Sequence, residues 1–247
     1  MHRLVSELKG YAIGAKDGDI GAVNDFLFDD ELWTVRYLVA DTAKWLPGRR
    51  VVITPIAIGQ VESNEKRVTV TLTREQVENS PDLDSRDLSR EHEAAYYDYL
   101  GWPYYWIGGD VWGPGTIPAN LLATQAPASE APEQPGDEPH LRSAREVIDY
   151  YIEARDGDIG HVEDFIVDDE TWEIRYMVVD TKNWLPGKKV LVSPEWIDRV
   201  SWSDSRVYVD LSREAIEKGP EFDPERLNRD YEERLYKHYD RPGYWVL

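Results

Sequence analysis

The chain has 247 residues, 41% of them hydrophobic and 31% charged, with 48 acidic against 28 basic side chains and a net charge of −20. The acidity is spread along its length: 18 acids and 12 bases in 1–106, 5 and none in 107–140, 25 and 16 in 141–247. No stretch offers the cationic face that a phosphate backbone or an anionic lipid surface requires, so neither nucleic acid nor direct membrane insertion is expected. There is no cysteine, which excludes disulfides, thiol catalysis and Cys-ligated metal. The first residues lack a signal-peptide apolar stretch, and no run reaches the roughly 18 apolar residues that span a bilayer, so a cytoplasmic protein is expected.

Tyr11–Lys16 and Ile20–Phe28 read as strands flanking Asp17-Gly18-Asp19, a turn in which glycine supplies a positive φ. Trp33–Ala40 alternates and is rich in β-branched residues, as a strand should be. Val51–Ile53 is a short buried strand stopped by Pro55, and Val68–Leu72 alternates at period two. Several short strands separated by turns over some seventy residues predict a small closed barrel. Thr73 and Ser89 then sit where helix N-caps belong, with Ser89–Leu100 the longer helix and His92 and Glu93 in its first turns. The segment closes on Trp102, Tyr104, Tyr105 and Trp106, followed by Trp112 among glycines and prolines.

After residue 140 the same order returns. Asp17-Gly18-Asp19-Ile20-Gly21 recurs as Asp156-Gly157-Asp158-Ile159-Gly160, an offset of 139 that also carries Trp45 onto Trp184 and Tyr105-Trp106 onto Tyr244-Trp245. Between 17–55 and 156–194, 23 of 39 positions are identical. Such self-similarity marks an internal duplication. The fold class expected is mainly β with C-terminal helices in each repeat: repeat 1 over 1–106, a Gly/Pro/Ala-rich acidic linker over 107–140, and repeat 2 over 141–247 with Ser212 and Asn228 as helix caps.

The Asp-Gly-Asp-Ile-Gly-x-Val-x-Asp-Phe stretch, Trp-x-x-Arg-Tyr-x-Val-x-Asp-Thr and Trp-Leu-Pro-Gly resemble the PRC-barrel domain over 6–72 and 145–211. That domain also occurs in the cytoplasmic part of the photosynthetic reaction-centre H subunit and in a ribosome-maturation factor. The chain is similar to free-standing bacterial tandem PRC-barrel proteins, which share the Gly-Trp-Pro-Tyr-Tyr-Trp tail. The resemblance implies small barrels used for protein contacts, with no catalytic residue to carry over. Neither the membrane helix of the H subunit nor the N-terminal domain of the maturation factor is read in these residues, so a role in photosynthetic electron transfer is not expected and ribosome work is a remote analogy.

The candidate sites separate on their chemistry. The acids Asp17, Asp19, Asp29, Asp30 and Glu31, with Asp156, Asp158, Asp168, Asp169 and Glu170, could supply oxygens to a cation. EF-hand spacing fails, because Asp17 at position one puts Asn24 at eight and Phe28 at twelve; solvated hairpin turns account for them, and no metal or other cofactor is expected. No nucleophile elbow, phosphate loop or His-x-x-x-His pair occurs, and His92 and His161 are not shared between repeats, so the protein is not expected to be an enzyme. Arg49-Arg50 and Lys188-Lys189 are basic pairs that either meet a partner's anion or keep a strand edge soluble. The aromatic residues Trp102, Tyr104, Tyr105, Trp106 and Trp112, with Tyr244, Trp245, Trp45 and Trp184, are the other interaction candidates. The tails have three open roles: latches onto a barrel, an oligomer interface, or a platform for a flat ligand. The function expected is a non-catalytic interaction and assembly module acting through a protein partner or as a homo-oligomer. The alternatives are a small-ligand or metal binder using the cleft between barrels, and a ribosome- or RNA-associated factor.

Overall fold

The computed structural model describes residues 1–42, 45–46, 49–81, 88–123, 140–181 and 187–246. In chain order the first half holds β1 (His2–Leu4), α1 (Val5–Leu8), β2 (Ala12–Ala15), β3 (Gly18–Asp29), β4 (Thr34–Asp41), β5 (Arg50–Ile53), β6 (Ile58–Glu62), β7 (Arg67–Val70), α2 (Arg74–Glu78), α3 (Arg90–Leu100) and α4 (Pro118–Leu121). The second half holds β8 (Leu141–Ser143), α5 (Ala144–Val147), β9 (Tyr151–Ala154), β10 (Gly157–Asp168), β11 (Ile174–Asp180), β12 (Lys189–Val192), β13 (Ile197–Ser201), β14 (Arg206–Val209), α6 (Arg213–Lys218) and α7 (Arg229–His238). The strands form two sheets of seven. The chain divides into two compact units: one of Met1, 3–145 and 168–173, the other of His2, 146–167 and 174–247.

In the first unit the hydrogen-bonded path is β5-β4-β3-β2-β7-β6, with β8 added on β3. β2 and β3 form an antiparallel hairpin, and β7 returns parallel to β2 through Ala12↔Arg67 and Ile13↔Val68. The second unit repeats the path as β12-β11-β10-β9-β14-β13. Among the described strands no ladder joins β5 to β6 or β12 to β13, so the expected closed barrels are replaced by open sheets. The reason is local. Pro55 and Pro194 each begin a one-turn 3-10 helix, which diverts the chain before the next strand can pair with the one it has just left.

The turn chemistry anticipated from the sequence is present. Gly18 and Gly157 have φ of +145° and +132°, the conformation glycine adopts without a Cβ penalty. The first carboxylate of each acidic turn serves the structure. Asp17 accepts the Arg74 backbone N–H at 2.8 Å, and Asp156 that of Arg213 at 2.7 Å. Each thereby satisfies a donor left over at the start of α2 or α6. Thr73 closes α2 with a capping box to Gln76, and Ser212, Ser89 and Asn228 cap α6, α3 and α7 through their side-chain oxygens. Both cores are aliphatic and aromatic, built around Ile13, Phe26, Phe28, Val35 and Leu38 in one unit and Ile152, Phe165, Met177 and Leu191 in the other. Among the described residues no helix is long and apolar enough to cross a membrane.

Candidate functional site: a caged carboxylate in each unit

Helix α3 buries Glu93, Tyr96 and Tyr97, positions i, i+3 and i+4 of one helical face. An acid therefore stands in the stripe that should be apolar. Glu93 is 0% exposed. Its carboxylate accepts the Tyr37 hydroxyl of β4 at 2.9 Å and the Tyr105 hydroxyl of the aromatic tail at 2.8 Å. Arg90 donates to it at 3.1 Å and to the Tyr105 oxygen at 2.6 Å. His140 Nε2 lies 2.8 Å from the same carboxylate. One anion thus ties a strand, a helix and the tail together, in charge-assisted hydrogen bonds that are the strong kind.

A second cation closes the arrangement. Arg36, only 1% exposed, donates to the Val111 carbonyl at 2.6 Å and to Asp29 at 3.4 Å. Its guanidinium lies 4.2 Å from the Tyr105 ring centroid and 4.8 Å from that of Trp112. Two ring faces and two oxygens replace the water lost by this buried charge.

The second unit repeats the construction at the offset of 139. Glu232 is 1% exposed and accepts Tyr176 at 2.8 Å and Tyr244 at 3.0 Å, with Arg229 at 3.2 Å. Arg175 stands 4.2 Å over the Tyr244 ring. Tyr236 bonds Ser193 as Tyr97 bonds Thr54, at 3.4 and 3.1 Å. The histidine breaks the sequence symmetry: His2 Nε2 lies 3.6 Å from Glu232, although His2 is not the repeat counterpart of His140.

The tyrosines of the two cages are held in their neutral form. Burial, and then Glu93, push Tyr37 and Tyr105 well above the ordinary phenol value. Burial does the same to Tyr176 and Tyr244, assisted by Glu232. Tyr236 is pushed up to about 12 by burial, and Tyr104 to about 12 by its 2.7 Å bond to Asp98. Groups whose pKa is raised on folding give stability that is complete below the unfolded value of 10.0 and is lost as the pH climbs from there through the folded values. Stability is therefore expected to fall steeply above about pH 10, by up to about 1.4 kcal/mol per pH unit for each caged tyrosine. Tyrosinate absorbance at about 295 nm should rise together with loss of tertiary structure. Full titration of the tyrosines in a still-folded protein would refute the cages.

The residues marked out from sequence fall into distinct places. Tyr104, Tyr105 and Trp112 are buried. Tyr104 stacks on the half-buried Trp106 at 4.7 Å, and Tyr97 meets Trp106 at 5.6 Å. Trp102, Tyr244 and Trp245 are half-buried. Residues 107–123, which the sequence places at the start of a linker, carry Trp112 and the buried Leu121 inside the first unit. Arg49 donates to the carbonyls of Glu78 and Ser80, and Lys188 to those of Ile216, Glu217 and Gly219 at 3.2, 2.5 and 2.9 Å. These two cations cap the C-terminal ends of α2 and α6. Arg50 is exposed at the start of β5, and the exposed Lys189 pairs with Glu163 at 2.6 Å. Half-buried Trp45 lies under the Arg74 guanidinium at 4.9 Å, beside a pocket of 380 Å³ lined also by Asp19, Ile20, Gly21 and Asp41. Trp184 lies outside the described residues. Sequence reasoning does not single out Glu93, Glu232, Arg36 and Arg175 as site residues. The available signal is a glutamate kept at the repeat offset while its neighbours differ, His92 against Tyr231.

The family model for the PRC-barrel domain matches the chain twice, over residues 2–77 and 140–216. The chain belongs to the PRC-barrel family. Both cages join a matched segment, which supplies Tyr37 or Tyr176, to a helix and tail lying beyond it. No curated protein matches the chain.

Proposed function

We propose that this tandem PRC-barrel protein is a non-catalytic module for protein interaction and assembly. One observation carries the reading: in each unit a buried carboxylate, bonded to two tyrosines and an arginine, is sealed from solvent and spent on holding the aromatic tail to its own sheet. A general acid or base must reach a substrate proton, and Glu93 and Glu232 reach tyrosine and arginine instead. Domains of this family often serve as protein-interaction modules, which supports the same conclusion. With Tyr105 and Tyr244 bonded to the buried carboxylates, the half-buried Trp102 and Trp106 keep exposed surface with which to anchor a contact, a role to which tryptophan is well suited.

Light scattering over a concentration series tests the proposal. The wild-type chain is expected to self-associate, and W102A together with W106A is expected to return it to the monomer mass while circular dichroism shows that it is still folded. A strict monomer at high concentration would remove the assembly reading. Small-ligand binding is the second reading, and its support is the pocket beside Trp45.

A further inference from the structure

Two stretches beyond the linker belong to the first unit, 140–145 and 168–173. At the offset of 139, β8 is the second repeat's counterpart of β1. Yet it pairs antiparallel with β3 of the first repeat, through Leu27↔Ser143, Phe28↔Arg142 and Asp29↔Leu141. The β2 ladder covers only the first part of β3, from Gly18 to Ala22. Without β8 the later part would present an open edge, the feature that recruits a strand.

The fastening is specific. Asp25, buried at 8%, accepts the Ser143 hydroxyl at 2.6 Å and the Arg145 N–H at 3.1 Å. Arg142 pairs with Asp30 at 2.8 Å, the Asp30 N–H donates to the His140 carbonyl at 3.0 Å, and His140 reaches Glu93. The acceptor side is thus acidic and the arriving strand basic. The 168–173 stretch adds an apolar plug. Trp172 is 2% exposed and faces Phe26 at 6.4 Å, and its carbonyl accepts the Val35 N–H at 2.8 Å. Trp112 Nε1 donates to the Thr171 carbonyl at 2.7 Å.

We infer that the first repeat is a receptor for these two stretches of a second repeat, and that a second copy of this chain supplies them whenever its own linker cannot close. The product is a reciprocally exchanged dimer. Closed monomer and exchanged dimer use the same contacts, so the tether 124–139 decides between them. A tether that spans the sites gives an effective concentration in the millimolar range and keeps the chain closed; one that cannot span them gives almost none. This surface is distinct from Trp102 and Trp106.

Deleting 124–139 from a chain that also carries W102A and W106A tests the inference with the proposed tail interface silent. The expected mass by light scattering is twice that of the shortened chain, and reinserting an equally long Gly/Ser stretch should restore the monomer. A folded monomer of the deleted chain overturns the inference. Should that chain fail to fold, the full-length protein with a protease site placed within 124–139 decides. After cleavage both pieces must elute as one complex, and Asp25→Ala must weaken that complex at least about tenfold, the effect expected for losing a buried charged acceptor. Pieces that separate while folded overturn it.

Discussion

Glu93→Ala is expected to destabilise the first unit by about 3–5 kcal/mol, the range found when one partner of a buried ionic cluster is removed. The loss exceeds that of an ordinary hydrogen bond because the partners stay behind. The Tyr37 and Tyr105 hydroxyls lose the oxygen they share, and buried donors without acceptors carry their full desolvation penalty. Arg36, stacked on Tyr105, would be left with less negative charge around it. Glu93→Gln should cost less, because an amide oxygen still accepts from one tyrosine. Glu232→Ala should act equivalently on the second unit. Urea unfolding followed by tryptophan fluorescence measures all three, and a change below about 1 kcal/mol for Glu93→Ala would show that the cage does not hold the tail.

Gly21→Ala and Gly160→Ala are expected to prevent folding of their units, with costs above about 4 kcal/mol. Gly21 has φ +148°, and a Cβ there would stand 2.1 Å from the Asp41 carbonyl oxygen; at Gly160 the corresponding distance, to Asp180, is 2.0 Å. Both obstacles are backbone atoms in the partner strand of the β3–β4 or β10–β11 ladder, so no side chain can swing aside. Gly10→Ala is the control. Its φ is also positive, at +85°, but nothing lies within 4 Å, so only the left-handed backbone penalty of about 1–2 kcal/mol applies. Circular dichroism and soluble yield separate the outcomes. A native-like Gly21→Ala protein would mean that the strands do not approach as closely as described.

Fold and site are unevenly legible in the sequence. The strands predicted at Tyr11–Lys16, Ile20–Phe28, Trp33–Ala40, Val51–Ile53 and Val68–Leu72 correspond to β2, β3, β4, β5 and β7 within a few residues. All four anticipated caps are occupied by the expected side chains. β6 and β13 escape sequence reading, since neither Ile58-Gly59-Gln60-Val61-Glu62 nor Ile197-Asp198-Arg199-Val200-Ser201 alternates cleanly, and a glycine interrupts the first. Sequence marks Glu93 only as a first-turn acid favoured by the helix dipole. That role does not distinguish a solvated carboxylate from a buried one, because the dipole argument holds for both. The pair Arg36-Tyr37 is visible as a motif, without any indication that the guanidinium and the phenol belong to a cage shared with the tail.

The duplication, the family, the strand and helix positions and the turn glycines follow from the sequence alone. Each is carried by a repeat or by short-range geometry, and neighbouring residues suffice to express it. Which sheet receives β8, whether the ladder closes, and which acids lose their water were decided by tertiary structure. Those outcomes depend on residues such as Glu93, Tyr37, Tyr105 and His140, or Asp25 and Arg145, meeting across long stretches of chain. A buried charge is tolerated only when such distant partners arrive together, and no local period in the sequence records that meeting.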